Sequence, residues 1–119
     1  MSLVNPHGKD KRLRPLLLAG AELTEARRRA QTLPRLTITS RETSDLIMLG
    51  IGAFTPLDGF MGEADWRGVC DEYKLADGTF WPIPITLSTA RAEADRLKEG
   101  QEVALVDGET GDLMATLTV

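Results

Sequence analysis

Between residues 23 and 50, apolar side chains first recur at helical spacing, then alternate with polar ones, and then recur at helical spacing again. The first predicted helix carries one apolar stripe, formed by Leu23, Ala26 and Ala30. Helical backbone is disfavoured before a proline, so this helix should end ahead of Pro34, with the arginines at 27–29 on its solvated side. The alternating, β-branched run at 36–39 predicts a short strand.

A second helix is predicted with both ends defined by the sequence. Thr39 and Glu42 form a T-x-x-E capping box, in which each residue satisfies a backbone N–H of the other. The apolar segment Leu46–Leu49 follows, and Gly50 stands where a helix commonly stops.

Glycine and proline dominate the next segment and exclude a long regular element. Four glycines and Pro56 lie between positions 50 and 62, which predicts an ordered loop. Its apolar side chains should turn toward a core; they are Phe54, Leu57, Phe60 and Met61.

A third helix is predicted from residues at i, i+3, i+4 and i+7. This apolar face consists of Trp66, Val69, Cys70 and Tyr73, and acids at 63, 65, 71 and 72 lie elsewhere on the helix. Cys70 is the only cysteine, which excludes an internal disulfide, and we expect it to be a small buried apolar residue.

The last forty-five residues predict a turn, an irregular strand, a short helix and a hairpin. Asp77-Gly78 favours a turn. Prolines at 82 and 84 cannot donate to a ladder, so Ile85–Leu87 should pair only after an irregular entry. Ala90–Lys98 should form a helix, and the inward side chains predicted for it are Ala90, Ala94 and Leu97. Two alternating runs flanking DGETGD at 107–112 predict a β-hairpin.

Length and composition bound the class of protein. A chain of 119 residues fits one domain, and no apolar run approaches the ~18 residues of a membrane span. The N-terminus does not have the order of a secretory signal, so we expect a soluble, cytoplasmic protein. Because the last strand stops at Val119 without a cap or linker, we expect the domain to continue in a longer parent.

The net charge of -4 conceals an uneven distribution. Residues 1–41 carry nine Lys and Arg against three acids, or +6, and residues 42–119 carry five against fifteen, or -10. A basic end can meet polyanions, but these cations are not interleaved with aromatic residues as in single-strand nucleic-acid sites. We therefore favour contact with the acidic remainder of the molecule or with a neighbouring subunit.

Candidate catalytic groups are few, and each has a structural interpretation that we favour. His7 is the only histidine and is expected in a surface turn. Gly50-Ile51-Gly52 starts like a dinucleotide fingerprint but follows a helix, and threonine stands where its third glycine belongs. The acids on the hairpin turn do not have the spacing of an EF-hand; they are Asp107, Glu109 and Asp112. The acids in the middle of the chain have no basic or histidine partner nearby in sequence; they are Asp58, Asp65, Asp71 and Asp77. Both tryptophans, Trp66 and Trp81, are expected in the core rather than as stacking platforms.

Four segments together resemble one enzyme family. They are PHG at 6–8, GAFTPLDGFM at 52–61, LADGTFWPIPITL at 75–87 and EVALVD at 102–107, and we call them the signature segments. In content and order they resemble the N-terminal domain of the sulfate adenylyltransferases, also called ATP sulfurylases. Lys9 departs from the family's usual PHGG, which puts the geometry of that turn in question.

The resemblance implies an α+β fold, a PUA-like small mixed β-barrel with several short helices, truncated at its C-terminal end. It implies that residues 1–119 are the N-terminal domain of an enzyme that converts ATP and sulfate to adenosine 5'-phosphosulfate and pyrophosphate. ATP and Mg²⁺ would be bound by a separate catalytic domain, through Q-x-R-N-P, H-x-x-H and G-R-D segments that this chain does not contain. No catalytic, cofactor-binding or metal-binding residue is therefore assigned to this chain, which alone should be inactive.

The partners implied are the catalytic domain of the same polypeptide and further copies of the enzyme in a homo-oligomer, without nucleic acid or membrane. The alternative from another class is a free-standing PUA-like module that binds RNA or a small ligand. The acidic balance of the chain argues against it.

Overall fold

A computed structural model describes residues 2–119 as a small mixed α+β domain, the predicted class. Its helices are α1 (Gly20–Ala30), α2 (Ser40–Gly50), α3 (Glu63–Glu72) and α4 (Arg91–Ala94), and its strands are β1 (Arg35–Ile38), β2 (Glu102–Asp107) and β3 (Leu113–Thr118). By contacts the described chain divides into two compact units. The first comprises residues 2–17 and 44–87, and the second comprises residues 18–43 and 88–119.

The second unit is built on a three-stranded mixed sheet in the order β1-β2-β3. β1 runs parallel to β2, with Leu36 opposite Leu105, and β2 runs antiparallel to β3 with a bulge at Leu105/Val106. The central strand is apolar at four consecutive positions, 103–106, all of them buried. Pairing on both edges of β2 satisfies its backbone, and the predicted hairpin and short first strand are confirmed.

Helix α1 buries Ala26 and Ala30, as its stripe predicted. Beside that stripe, the guanidinium of Arg29 donates two hydrogen bonds of 2.9 Å to the carboxylate of Glu102 on β2. Hydrogen bonding from Arg29 lowers the pKa of Glu102, although burial acts in the opposite direction. One arginine of the basic first part thus contacts the acidic remainder of the chain, as the uneven charge distribution suggested.

The capping box of α2 is formed as predicted. Thr39 N–H donates to Glu42 Oε1 at 2.9 Å, and Glu42 N–H donates to Thr39 Oγ1 at 3.2 Å. Glu42 is also only 1% exposed, and its Oε2 accepts a 2.8 Å hydrogen bond from the backbone N–H of Ser88. The cap therefore also connects two segments of the second unit that are distant in sequence.

The first unit holds an apolar cluster formed by Leu49, Leu57, Val69, Leu75, Trp81 and Ile85. Three side chains of the glycine-rich loop, Phe54, Phe60 and Met61, pack against it, which confirms that the loop faces a core. Gly68 permits the close approach of α3 to the next turn, since a Cβ there would overlap the carbonyl oxygen of Lys74.

The predicted inward face of α3 is wrong at three of its four positions. Val69 is buried, but Trp66 and Tyr73 are 42% and 59% exposed, and Cys70 is exposed. The helix ends at Tyr73, whose backbone is left-handed with φ +57° and whose N–H donates to the carbonyl of Val69. This left-handed end closes the helix with the tyrosine ring largely in solvent.

Two predictions for residues 85–98 are also corrected. Ile85–Leu87 is not a strand. The Ile85 carbonyl instead accepts from the Met61 N–H at 2.8 Å, and the Ile85 N–H donates to Met61 Sδ at 3.5 Å. The helix predicted at Ala90–Lys98 contracts to α4, where Ala90 and Ala94 are exposed and Leu97 is half-buried. Among the described residues, no helix has the length and apolar character needed to cross a membrane.

Candidate functional site

The first unit contains a cleft of about 290 Å³ between the N-terminal arm, which comprises residues 6–14, the loop after Pro56 and the turn at 75–77. Buried Leu57 and Leu75 contribute its apolar lining. Its charged lining comprises Lys9, Asp10, Arg14, Asp58, Asp65 and Asp77. Four carboxylates against two cations give the cleft a negative balance.

Most charged groups of the cleft already have partners within the chain. Arg14 donates to Asp10 Oδ2 at 2.7 Å, and hydrogen bonding from Arg14 lowers the pKa of Asp10. Asp65 Oδ1 accepts from the backbone N–H of Ala76 at 2.8 Å. Asp77 accepts from Thr79, and this hydrogen bonding lowers the pKa of Asp77. The carboxylates of Asp10, Asp65 and Asp77 therefore act as hydrogen-bond acceptors within the chain.

The N-terminal arm, residues 6–14, is fastened to the loops of the first unit by polar contacts. His7 Nε2 lies 2.6 Å from the carbonyl oxygen of Phe80, and because a carbonyl only accepts, the imidazole donates this hydrogen bond through Nε2–H. The Lys9 ammonium donates to the carbonyl of Asp77, and Arg14 N–H donates to Thr55 Oγ1 at 3.0 Å. His7 is exposed, as predicted, and holds the arm in place.

The departure at Lys9 leaves the turn of the first signature segment intact. Gly8 has φ +118°, and a Cβ there would approach Pro56 Cβ to 2.9 Å, so glycine is required at position 8. Lys9 is not among the described non-glycine residues with positive φ. A side chain at position 9 is therefore compatible with the backbone.

The other candidates from the sequence occupy structural positions. Asp107 Oδ1 accepts from Glu109 N–H at 2.9 Å and Oδ2 accepts from Thr110 Oγ1 at 3.2 Å, so Asp107 shapes the hairpin turn. Within residues 2–119, no cluster of histidine, cysteine and acidic side chains has an arrangement that holds a metal ion. Gly52 has φ +80° directly after α2, which confirms a helix end rather than a dinucleotide loop.

The two tryptophans differ in environment. Trp81 is 7% exposed, with Phe54 edge-on at a ring distance of 5.7 Å and His7 at 6.1 Å. Trp66 was predicted in the core but lies on the surface, with the Arg67 guanidinium 5.8 Å from its ring centre. Only Trp81 belongs to the apolar cluster.

Comparison with known proteins agrees with this architecture. The profile of the PUA-like domain family matches residues 4–119. The chain belongs to the PUA-like domain family. Sulfate adenylyltransferases from Pelodictyon phaeoclathratiforme and Chlorobium chlorochromatii are similar to this PUA-like domain at 63% and 62% identity over 119 residues, all of this chain. The predicted resemblance is thereby confirmed.

This PUA-like domain spans about 30% of the length of those relatives and matches their N-terminal part. A solved structure described as hexameric APS kinase from Thiobacillus denitrificans is also similar, at 40% identity and a TM-score of 0.82. That match covers 98% of this chain and 23% of the kinase chain. In each comparison the domain corresponds to a minor part of a longer polypeptide.

Sequence reasoning missed the cleft and the contacts that surround it. The cations Lys9 and Arg14 are distant in sequence from the acids Asp58 and Asp77, and neither pair is a recognised binding pattern. Lys9, Asp58 and Asp77 lie in or next to the signature segments. That shared position was the one available signal that they are close together in the fold.

Proposed function

We propose that this chain is the N-terminal, non-catalytic domain of a sulfate adenylyltransferase. The whole protein would join ATP and sulfate to give adenosine 5'-phosphosulfate and release pyrophosphate. The observation that carries the proposal is the match of the entire chain to sulfate adenylyltransferases at 52–63% identity, over about 30% of their length. The domain would support catalysis by scaffolding and interface contacts.

The signature segments support a structural role because their side chains build the core. Phe54, Leu57, Leu75 and Trp81 belong to the apolar cluster or pack on it, and His7 fastens the N-terminal arm. None of them projects an unpaired catalytic group into the cleft. A single histidine in the sequence also leaves no H-x-x-H pair in this chain.

The cleft does not fit ATP, sulfate or Mg²⁺. Four carboxylates facing two cations, one of them already paired with Asp10, repel a triphosphate or a sulfate dianion. The described residues also hold no cluster suited to a metal ion. We assign ATP and Mg²⁺ to the remainder of the polypeptide.

The proposed partners are the catalytic domain of the same polypeptide and other copies of the whole enzyme. The structural relative from Thiobacillus denitrificans is described as hexameric, which supports a homo-oligomer. A cytoplasmic location is consistent with use of ATP and with a single, unpaired cysteine.

The test is an activity comparison of two lengths of the same protein. Supplied with Mg²⁺, ATP and sulfate, the chain extended to the length of its relatives should release pyrophosphate, and residues 1–119 alone should not. Omission of sulfate is the matched control, because it leaves ATP hydrolysis as the only source of signal. An inactive extended protein, or equal activity from residues 1–119 alone, would contradict the proposal.

An RNA titration of the 119-residue chain separates this proposal from the binding-module alternative. The chain has a net charge of -4, so we expect weak binding without a steep salt dependence. Tight binding that falls steeply with salt would favour the module instead.

A further inference from the structure

Six large apolar side chains at the end of α2 and in the segment before α1 are exposed together. They are Leu13, Leu16, Leu17, Ile47, Met48 and Ile51, with exposed fractions between 37% and 70%, and we call them the α2 apolar surface. All six belong to the first compact unit. Single exposed apolar residues are ordinary, whereas a contiguous group marks an interaction site.

Backbone and side-chain contacts show that the two segments form one surface. The N–H groups of Leu16 and Leu17 both donate to the carbonyl of Gly50, at 2.9 and 3.2 Å. A Cβ at Gly50 would lie 3.3 Å from Leu17 Cδ2, and one at Gly52 would lie 3.2 Å from Leu13 Cγ. Ile51 continues the last turn of α2 through its N–H bond to the Ile47 carbonyl, which places both isoleucines along one side of that turn.

The α2 apolar surface is poor in charge. Within residues 13–17 and 46–52 the only charged residue is Arg14. Its guanidinium is held by Asp10 at 2.7 Å, and its backbone N–H is held by Thr55. An uncharged surface of this kind suits an apolar partner that excludes water, since no ion must be desolvated to cover it.

We propose that the α2 apolar surface is where the rest of the polypeptide, the catalytic part of the proposed sulfate adenylyltransferase, docks on this domain through an apolar face of its own. The inference rests on the proposed function. Relatives extend beyond the matched 30% by the remaining 70% or so of their length. In the proposed enzyme a large partner would therefore be covalently attached to every copy of this domain. Covalent linkage supplies a high effective concentration, which lets a modest surface hold two domains together.

A second copy of the domain fits this surface less well. Stable interfaces between separate chains bury ~800 Å² per partner. Six side chains that are each only partly exposed present less than that area.

The test uses the extended protein with Ile47→Gln and Ile51→Gln combined. Proteolysis between the two parts should become about tenfold faster, because cleavage follows the population of undocked molecules. Ile83→Gln is the matched control, since Ile83 is 49% exposed against 51% for Ile47 and Ile51 and lies outside the surface. Leu17→Gln, which changes the other segment, should act in the same direction and serves if the double variant does not fold.

The outcomes separate failure of this inference from failure of the proposed function. If the extended protein makes adenosine 5'-phosphosulfate but the surface variants are cleaved no faster than Ile83→Gln, the docking surface is wrong and the function stands. If the extended protein is inactive, the function itself is wrong. If residues 1–119 form a dimer that Ile47→Gln and Ile51→Gln abolish, the occupant is a second copy and the inference is overturned.

Discussion

Replacing Glu42 by alanine should lower the free energy of unfolding of the chain by about 3–5 kcal/mol. The carboxylate is 1% exposed and accepts backbone hydrogen bonds from Thr39 at 2.9 Å and Ser88 at 2.8 Å. Alanine leaves both N–H groups without their acceptor and opens a cavity where the Glu42 side chain was buried, and each lost hydrogen bond to a charged group costs ~1.5–3 kcal/mol. Urea unfolding followed by circular dichroism measures the difference.

Glu99→Ala is the control, because Glu99 is exposed and its loss should change stability by less than about 0.5 kcal/mol. Glu42→Gln should fall between the two. Its amide offers one oxygen acceptor, so one of the two backbone N–H groups then faces an NH₂ group. Equal unfolding midpoints for Glu42→Ala and Glu99→Ala would show that the carboxylate does not hold these segments together.

The stabilisation by Glu42 should depend on pH. Burial alone would raise the pKa of Glu42, but hydrogen bonds from Thr39 and Ser88 outweigh it and hold the pKa below its ordinary value. A lowered folded-state pKa means that the stabilisation is complete above the unfolded pKa of about 4.3 and is lost as pH falls through the folded value. The stability gap between the native chain and Glu42→Gln should therefore narrow below about pH 4. A gap that stayed constant down to pH 2 would contradict an ionised Glu42.

Glu42 also shows which contacts could be predicted from the sequence and which could not. The capping box was predictable because its two hydrogen bonds join residues three positions apart, and local spacing determines whether they meet. The bond from Ser88 joins positions 46 apart. This bond forms only because the fold brings Ser88 next to α2, and no local sequence pattern indicates that. The sequence therefore predicted a helix cap, whereas in the structure the same buried carboxylate also binds a distant segment.

Helix α3 shows the limit of apolar periodicity. Spacing identified the helix correctly, but an apolar face is buried only where other elements are available to cover it. Val69 meets the cluster around Leu57 and Trp81, whereas Trp66 and Tyr73 remain exposed. The inward orientation of the glycine-rich loop was predicted correctly. Its large aromatic and aliphatic side chains are stabilised by burial and are uncommon in mobile surface loops.

The cleft and the N-terminal arm were beyond prediction for a related reason. His7 meets Phe80, 73 positions away, and Lys9 meets Asp77, 68 positions away. Both side chains form hydrogen bonds with backbone carbonyl groups, which every residue has. The sequence therefore does not show which residue is the partner. The resemblance to a family indicated that these segments belong together, and the structure shows the contacts that join them.

Trp81→Ala should be the other strongly destabilising change, at about 3–5 kcal/mol. The indole is 7% exposed and belongs to the apolar cluster of the first unit. Phe54 meets it edge-on at 5.7 Å, and this aromatic contact adds to the loss of buried area. Denaturant unfolding with a probe other than tryptophan fluorescence, such as far-ultraviolet circular dichroism, measures the effect.

Two further variants show whether packing is the cause. Trp81 Nε1 is buried and meets no acceptor among the described residues, so Trp81→Phe loses volume without losing a hydrogen bond and should cost roughly 1–3 kcal/mol. Trp66→Ala changes the same residue type at a site that is 42% exposed, and should cost under about 1 kcal/mol. If Trp66→Ala proved as damaging as Trp81→Ala, the exposed face of α3 would have to pack in solution. Trp81→Phe as costly as Trp81→Ala would instead point to a bonded indole N–H, because ring packing alone predicts a graded loss.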